Sequence, residues 1–177
     1  MRWILVPDLL THYAFSLLLA SRQIRLRQAI LIAIIGILPD VDVLLRIHRW
    51  LTHSLIITLI PMLIAVILSK KYRPKLQKHL TLVSTIYTLH IVMDIFTAPT
   101  PFLWPIVDQA YMLNIRLSSI VSQNNIAIAS QISVYSEIID FIPQPLTGGP
   151  LISATGVIVA IGTVTMILIE YISKKKQ

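Results

Sequence analysis

Residues 37–54, ILPDVDVLLRIHRWLTHS, gather the aspartates Asp40 and Asp42, the arginines Arg46 and Arg49, and the histidines His48 and His53. Two other segments add His12, and His90 with Asp94. The chain has no cysteine, so imidazole and carboxylate remain as the usual ligands for zinc and similar divalent ions. His90 and Asp94 stand at i and i+4, which projects both from one helix face. Asp40 and Asp42 follow Pro39, and in extended backbone they point to opposite sides. One can then ligate while the other orients a histidine. His53 lies at a helix start beside Ser54, and His12, one turn after Asp8, offers a ligand from another helix. A divalent ion held by His53, His90, Asp94 and Asp40 would activate water and polarise a phosphoryl or acyl oxygen. A free carboxylate, Asp42, could act as general base, with Arg49 or Arg46 holding a phosphate.

Each residue alone has a plainer reading. His12 can be an interfacial histidine, His90 and Asp94 a hydrogen bond between helices, Asp42 a helix cap, and the two arginines the ion-pair partners of the aspartates. The joint pattern is harder to explain that way, because ionisable groups near lipid are costly unless they are paired or bind something.

The elements that must position these residues look like membrane helices. The 177 residues suffice for one domain, are 55% hydrophobic and only 13% charged, and have a mean hydropathy of +0.77. Soluble domains average roughly 25% charged residues. The absence of cysteine excludes disulfides, thiolate zinc sites and cysteine nucleophiles. The net charge of +7 is no nucleic-acid signal. The basic residues form short clusters between apolar runs, without interleaved aromatics, as topology markers do. The N-terminus lacks the basic start and small-residue cleavage site of a signal peptide.

Apolar stretches run over residues 9–20, 29–45, 52–68, 80–96 and 151–172. The first is short for a span of roughly 20 residues, with Trp3 as an interfacial anchor and Asp8 as a cap. Pro39 should end or kink the second, delivering Asp40 and Asp42 into irregular backbone. Thr52 is the expected N-cap of the third, with His53 in its first turn. In the last, Gly156 and Ala160 are spaced as in small-residue helix contacts. Three prolines in residues 98–106 forbid a regular helix there. From Tyr111 to Ser118 apolar and polar residues alternate, and residues 126–134 partly repeat this after Gln123-Asn124-Asn125, so a small β-hairpin is expected. Residues 147–150 read as a turn.

The positive-inside rule assigns the basic clusters at 22–27, 70–78 and 174–176 to the cytoplasm. His12, Asp40, Asp42, His48, His53, His90 and Asp94 then collect at the extracytoplasmic face. His79, among lysines at the cytoplasmic end, is given no role.

The ordered motifs T-H (Thr11-His12), L-P-D-x-D (38–42), H-R-x-x-T-H-S (48–54), H-x-x-x-D (90–94) and L-W-P (103–105) resemble the YdjM-like inner-membrane proteins, known as membrane-bound metal-dependent hydrolases. Trp50 stands where that family usually has glycine after H-R. The resemblance implies a multi-pass membrane protein with a metal site. A more distant similarity is to zinc-dependent phospholipases C, whose early ligands run His, Asp, His, then H-x-x-x-D; no histidine follows His90 to match their later ligands.

The expectation is therefore an all-α, multi-pass transmembrane bundle forming a single domain over residues 1–177, with a small extracytoplasmic segment at about 98–150. It would bind a divalent metal, zinc or manganese, and hydrolyse phosphoester bonds of lipid or lipid-linked headgroups. Its metal ligands would come from His12, Asp40, Asp42, His48, His53, His90 and Asp94, with Asp42 and Arg49 catalytic. Membrane lipid is the expected partner and nucleic acid is not. The competing reading is a metal-binding membrane protein that transports, senses or binds a partner without catalysis.

Overall fold

The computed structural model describes residues 8–47, 49, 51–121, 126–143 and 151–175. Trp3, His48, Trp50 and the turns expected at 123–125 and 147–150 lie outside the described residues.

Among the described residues, five α-helices, three short 3-10 segments and one hairpin follow in order. They are α1 (Leu9–Ser21), α2 (Leu26–Ala33), the 3-10 segments Ile34–Ile37, Pro39–Leu45 and Leu51–His53, α3 (Leu55–Tyr72), α4 (Pro74–Ile95), strands β1 (Gln109–Val121) and β2 (Ile126–Ile138), and α5 (Ala154–Lys175). Two helices, α3 and α5, are long and apolar enough to cross a membrane; counting α2 and its bent 3-10 continuation as one broken span makes three. The expected fourth stretch forms α4, which does not meet that measure among the described residues. It carries Lys75, Lys78 and His79 in its first turns.

Asp8 starts α1 as expected. Its Oδ1 accepts from the Thr11 N–H at 2.7 Å and from the Thr11 hydroxyl at 2.6 Å. Its Oδ2 accepts from the Ser153 N–H, one residue before α5. One carboxylate thus caps two helix starts, where backbone N–H groups would otherwise lack partners. Gly156 is required beside it, since a Cβ there would overlap the Asp8 carboxylate. At the far ends of the same two helices Arg22 pairs with Glu170 at 3.0 Å. Helices α1 and α5 therefore run parallel.

The second apolar stretch bends by 49° at Leu38–Pro39. Proline cannot donate to the preceding turn, so the break is where the sequence puts it. The backbone beyond it is not extended, however. Asp40 and Asp42 sit in a regular 3-10 segment, which ends at Arg46 in the left-handed region at φ 60°. The start of α3 also differs from expectation. Ser54, not Thr52, is the cap, accepting from the Ile57 N–H at 3.2 Å, and His53 precedes the helix in its own 3-10 turn. Thr52 has another partner, described below.

The interior is small and polar. Ala14, Ala20, Ala29, Ala33, Ile86 and Ile91 are buried, and with them Asp8, Thr11, His12, Asp42, His53, His90 and Asp94. Large apolar side chains such as Ile60, Ile67, Ile158 and Ile169 face outward. Alanines let helices approach closely, and an apolar exterior around a polar interior is what lipid requires.

The hairpin exceeds the expected one. All thirteen residues of each strand pair antiparallel, with Leu113 opposite Val134 and Ile115 opposite Ile132. Leu113, Ile115, Leu117, Ile132 and Val134 take one face and Asn114, Arg116, Gln131 and Ser133 the other, as the period of two dictates. Its base is tied to the proline-rich loop by the Thr100–Tyr111 bridge.

Chemistry-bearing and basic residues occupy opposite ends. The end of α1 meets the start of α4 around a cavity lined by Leu19, Gln23, Pro74 and Lys78. His12, near the start of α1, instead meets His90 and Asp94 near the end of α4.

Candidate metal centre

Three elements converge on one point. The Pro39–Leu45 segment brings Asp40, the Leu51–His53 segment brings His53, and α4 brings His90 and Asp94, one helical turn apart. One ligand atom from each of these four lies within 4.8 Å of every other. His53 Nε2 and His90 Nε2 are 3.3 Å apart. Asp94 Oδ2 lies 3.3 Å from His53 Nε2 and 3.8 Å from His90 Nε2, and Asp40 Oδ1 lies 3.6 Å from each.

These spacings fit a divalent ion. Two nitrogens each about 2.0–2.1 Å from a tetrahedral zinc stand roughly 3.3–3.4 Å apart. The tautomers fit as well. His90 Nδ1 donates to the Gly36 carbonyl at 2.7 Å, and a carbonyl can only accept. His53 Nδ1 donates to Asp42 Oδ2 at 3.0 Å. In both rings this leaves Nε2 aimed at the centre, with Nδ1 held from behind as metal-binding histidines usually are. Two such nitrogens facing each other need a positive charge between them. The surrounding charges agree. Burial disfavours the charged form of His53, yet the carboxylates of Asp40, Asp42 and Asp94 outweigh it and push its pKa up to about 10. A proton or a metal cation answers the same demand. The cluster of Asp40, His53, His90 and Asp94 could therefore hold a metal ion.

The remaining expected residues take other places. Asp42 is buried behind His53, where the Thr52 hydroxyl also donates to its Oδ2 at 2.9 Å. That position suits the orienting role left open between the two aspartates, not the role of a free base reaching the centre. Asp40, with its side chain 16% exposed, is the member that meets the opening. His12 stacks on His90 at 3.9 Å between ring centroids. Its Nε2 lies 3.3 Å from Asp94 Oδ1 outside hydrogen-bond geometry, and its Nδ1 has no hydrogen-bond partner among the described residues. It flanks the four-residue group without belonging to it. His48 lies outside the described residues. His79 sits eleven residues before His90 on α4, roughly 16 Å along the helix.

Arg49 closes the edge. Its Nε donates to Asp94 Oδ2 at 3.1 Å, and its side chain is 11% exposed. Its backbone is left-handed at φ 58°, a conformation uncommon outside glycine and found where surrounding structure enforces it.

Several supporting groups were not singled out from the sequence. Gly36 supplies the acceptor for His90. Tyr87 Oη donates to the Thr52 carbonyl at 2.7 Å. Ser54 Oγ donates to the Trp104 carbonyl, and the Leu55 N–H to the Phe102 carbonyl at 3.0 Å. The L-W-P loop is thus what seats the start of α3. The T-H-S and L-W-P motifs were visible, but their mutual contact spans about fifty positions and has no local signal.

Among family models, that for the YdjM inner membrane protein matches residues 8–175. Neither the comparison with curated proteins nor that with solved structures finds a match, so the likeness to zinc-dependent phospholipases C stays a matter of motif order. The match spans nearly the whole chain, takes in every residue of the cluster, and accords with its apolar helices and a membrane location: the chain belongs to the YdjM inner membrane protein family.

Proposed function

We propose that this protein is a single-domain, multi-pass membrane hydrolase that uses a divalent metal, zinc or manganese, on phosphoester bonds of lipid or lipid-linked headgroups. The observation that carries the reading is Arg49, held at the edge of a group suited to a cation. Asp94 already stands between Arg49 and the centre, and one carboxylate shared by a guanidinium and a divalent ion leaves net positive charge there for a substrate anion. Arginine is also the side chain best matched to a phosphate. The left-handed backbone of Arg49 holds that charge at the edge of the group.

A bound divalent ion supplies Lewis-acid activation of water and of the phosphoryl oxygen. With His53, His90 and Asp94 holding the ion, Asp40 at the opening would be the carboxylate left to take the water's proton as general base. Arg49 holds a phosphate oxygen and Asp42 keeps His53 in its tautomer. The hydrolytic test uses detergent-solubilised protein with phospholipids and phosphodiester reporters, in zinc or manganese, against His53→Ala. Turnover by the wild type that falls at least about a hundredfold in the variant is expected, since one misplaced group costs that much. Equal background turnover by both would favour the second reading, a non-catalytic metal protein. That reading has its own support, because four protein groups suffice to close a structural tetrahedral site.

The same reading puts the centre on the extracytoplasmic face, supported by the basic residues at the opposite end of the helices. Single cysteines at positions 75 and 124 test it. A membrane-impermeant thiol reagent should label Asn124→Cys in intact cells and not Lys75→Cys. The reverse pattern would invert the topology.

A further inference from the structure

We infer that the hydrolytic site selects headgroups carrying an ammonium beside the phosphate. This rests on the proposed function and adds a substrate class to it. Arg49 has a second side. Away from Asp94 it lines a separate recess of about 180 Å³ between the proline-rich loop and the base of the hairpin. Pro99 and Pro101 form one wall, and Glu137, Asp140 and Phe141 the other. The recess is too small for an acyl chain and sized for a headgroup of a few heavy atoms.

Its chemistry is two-signed. Among the described residues of the lining Arg49 is the one cation, and it is the residue that pairs with Asp94 of the cluster. Glu137 and Asp140 bring two carboxylates. Asp140 is held in place, its Oδ1 accepting from the Ile142 N–H at 2.9 Å. Phe141 packs edge-on against Trp104 with ring centroids 5.5 Å apart, which fixes an aromatic ring in the same wall. Carboxylates together with an aromatic ring are what ammonium groups bind. A phosphate on Arg49 would extend its substituent into the recess and toward those carboxylates. An anionic or second phosphate substituent would be repelled there, and a neutral polyol could hydrogen-bond the carboxylates but would bring them no counter-charge. The shared chemistry is a phosphate and an ammonium a few bonds apart, whether on a lipid or on a free phosphoethanolamine.

The test measures binding, so that it stands apart from turnover. Zinc-loaded full-length protein is titrated calorimetrically with phosphoethanolamine and with glycerol 3-phosphate. In parallel, binding is measured to vesicles of phosphatidylethanolamine and of phosphatidylglycerol, each in a phosphatidylcholine-free neutral carrier lipid. The ammonium ligand should bind about tenfold more tightly, the size expected for two partly exposed charge pairs. The preference should collapse toward unity in Glu137→Gln/Asp140→Asn. Both changes keep size and acceptors, and both side chains are exposed, so the fold is spared. Preference with soluble ligand alone assigns a free headgroup, and preference with vesicles alone a lipid. Equal binding of both classes, no binding of either, or a preference that survives the double variant would each overturn the inference. Turnover without headgroup preference removes this inference and leaves hydrolysis standing. Preference without turnover does the opposite.

Discussion

Replacing Asp94 with alanine should reduce the metal bound per chain to background. Asp94 is the member of the cluster that faces both of its histidines and also reaches Arg49 and His12. Its Oδ2 faces His53 Nε2, His90 Nε2 and Arg49 Nε at 3.3, 3.8 and 3.1 Å, and its Oδ1 faces His12 Nε2 at 3.3 Å. The substitution removes a ligand and also leaves the Arg49 cation without its carboxylate. A divalent ion would then meet a guanidinium directly. Breaking a buried pair in this way costs about 3–5 kcal/mol, which is more than about a hundredfold in affinity if it falls on the loaded state. Asp42→Asn should do less, about 10–100-fold, because it acts through the Nδ1 of His53 and not at the centre. Metal content by mass spectrometry of purified protein, with helicity followed by circular dichroism, separates the two. Wild-type metal content in a well-folded Asp94→Ala protein would remove the metal assignment.

Gly36→Ala should damage the same site without touching a ligand. An added Cβ at Gly36 would overlap Ser16 Oγ, come 2.8 Å from Ser16 Cβ and 3.2 Å from the His12 carbonyl oxygen. Something must move, and what can move is the 3-10 segment away from α1. That segment carries the carbonyl that fixes His90, and α1 carries His12. Forcing extra atoms into such a contact costs about 1–3 kcal/mol. The expected result is lower thermal stability together with metal affinity reduced at least about tenfold. Ser16→Gly opens the opposite side of the contact, so Gly36→Ala/Ser16→Gly should recover much of both. Full metal affinity and stability in the single variant would mean that α1 and the segment do not approach as described.

Much of this was legible in the sequence, and the parts that were not share a cause. The helices of residues 9–21, 55–72 and 154–175 follow from runs of apolar residues, and the break at Pro39 from its missing N–H. The hairpin followed from alternation at Tyr111–Ser118, although its weaker second strand hid its full length. His53, His90 and Asp94 could be grouped because each sits in a polar motif within an apolar chain. What could not be read was which aspartate faces the centre. Both Asp40 and Asp42 satisfy the local pattern, and the choice depends on Thr52 and His53 arriving from ten and more positions away. Thr52 itself reads as a cap because Thr and Ser both serve at that position. Only the docking of the L-W-P loop on Ser54 decides between them. The recess beside Arg49 was equally hidden, since Glu137 and Asp140 read as ordinary solvent-facing charges until the hairpin base folds against the prolines.

The shared cap at Asp8 has a consequence for how the chain is made. Helix α5 is synthesised well after α1, and in the interval Asp8 has Thr11 alone to bond. Its second oxygen must wait for the Ser153 N–H. A carboxylate left half-satisfied where lipid is near is costly. That cost falls only on copies whose α5 has not arrived, one turn of α1 away from His12. Chains that still lack α5 are thereby distinguishable at the membrane from those that have it, by the same contact that aligns α1 with α5.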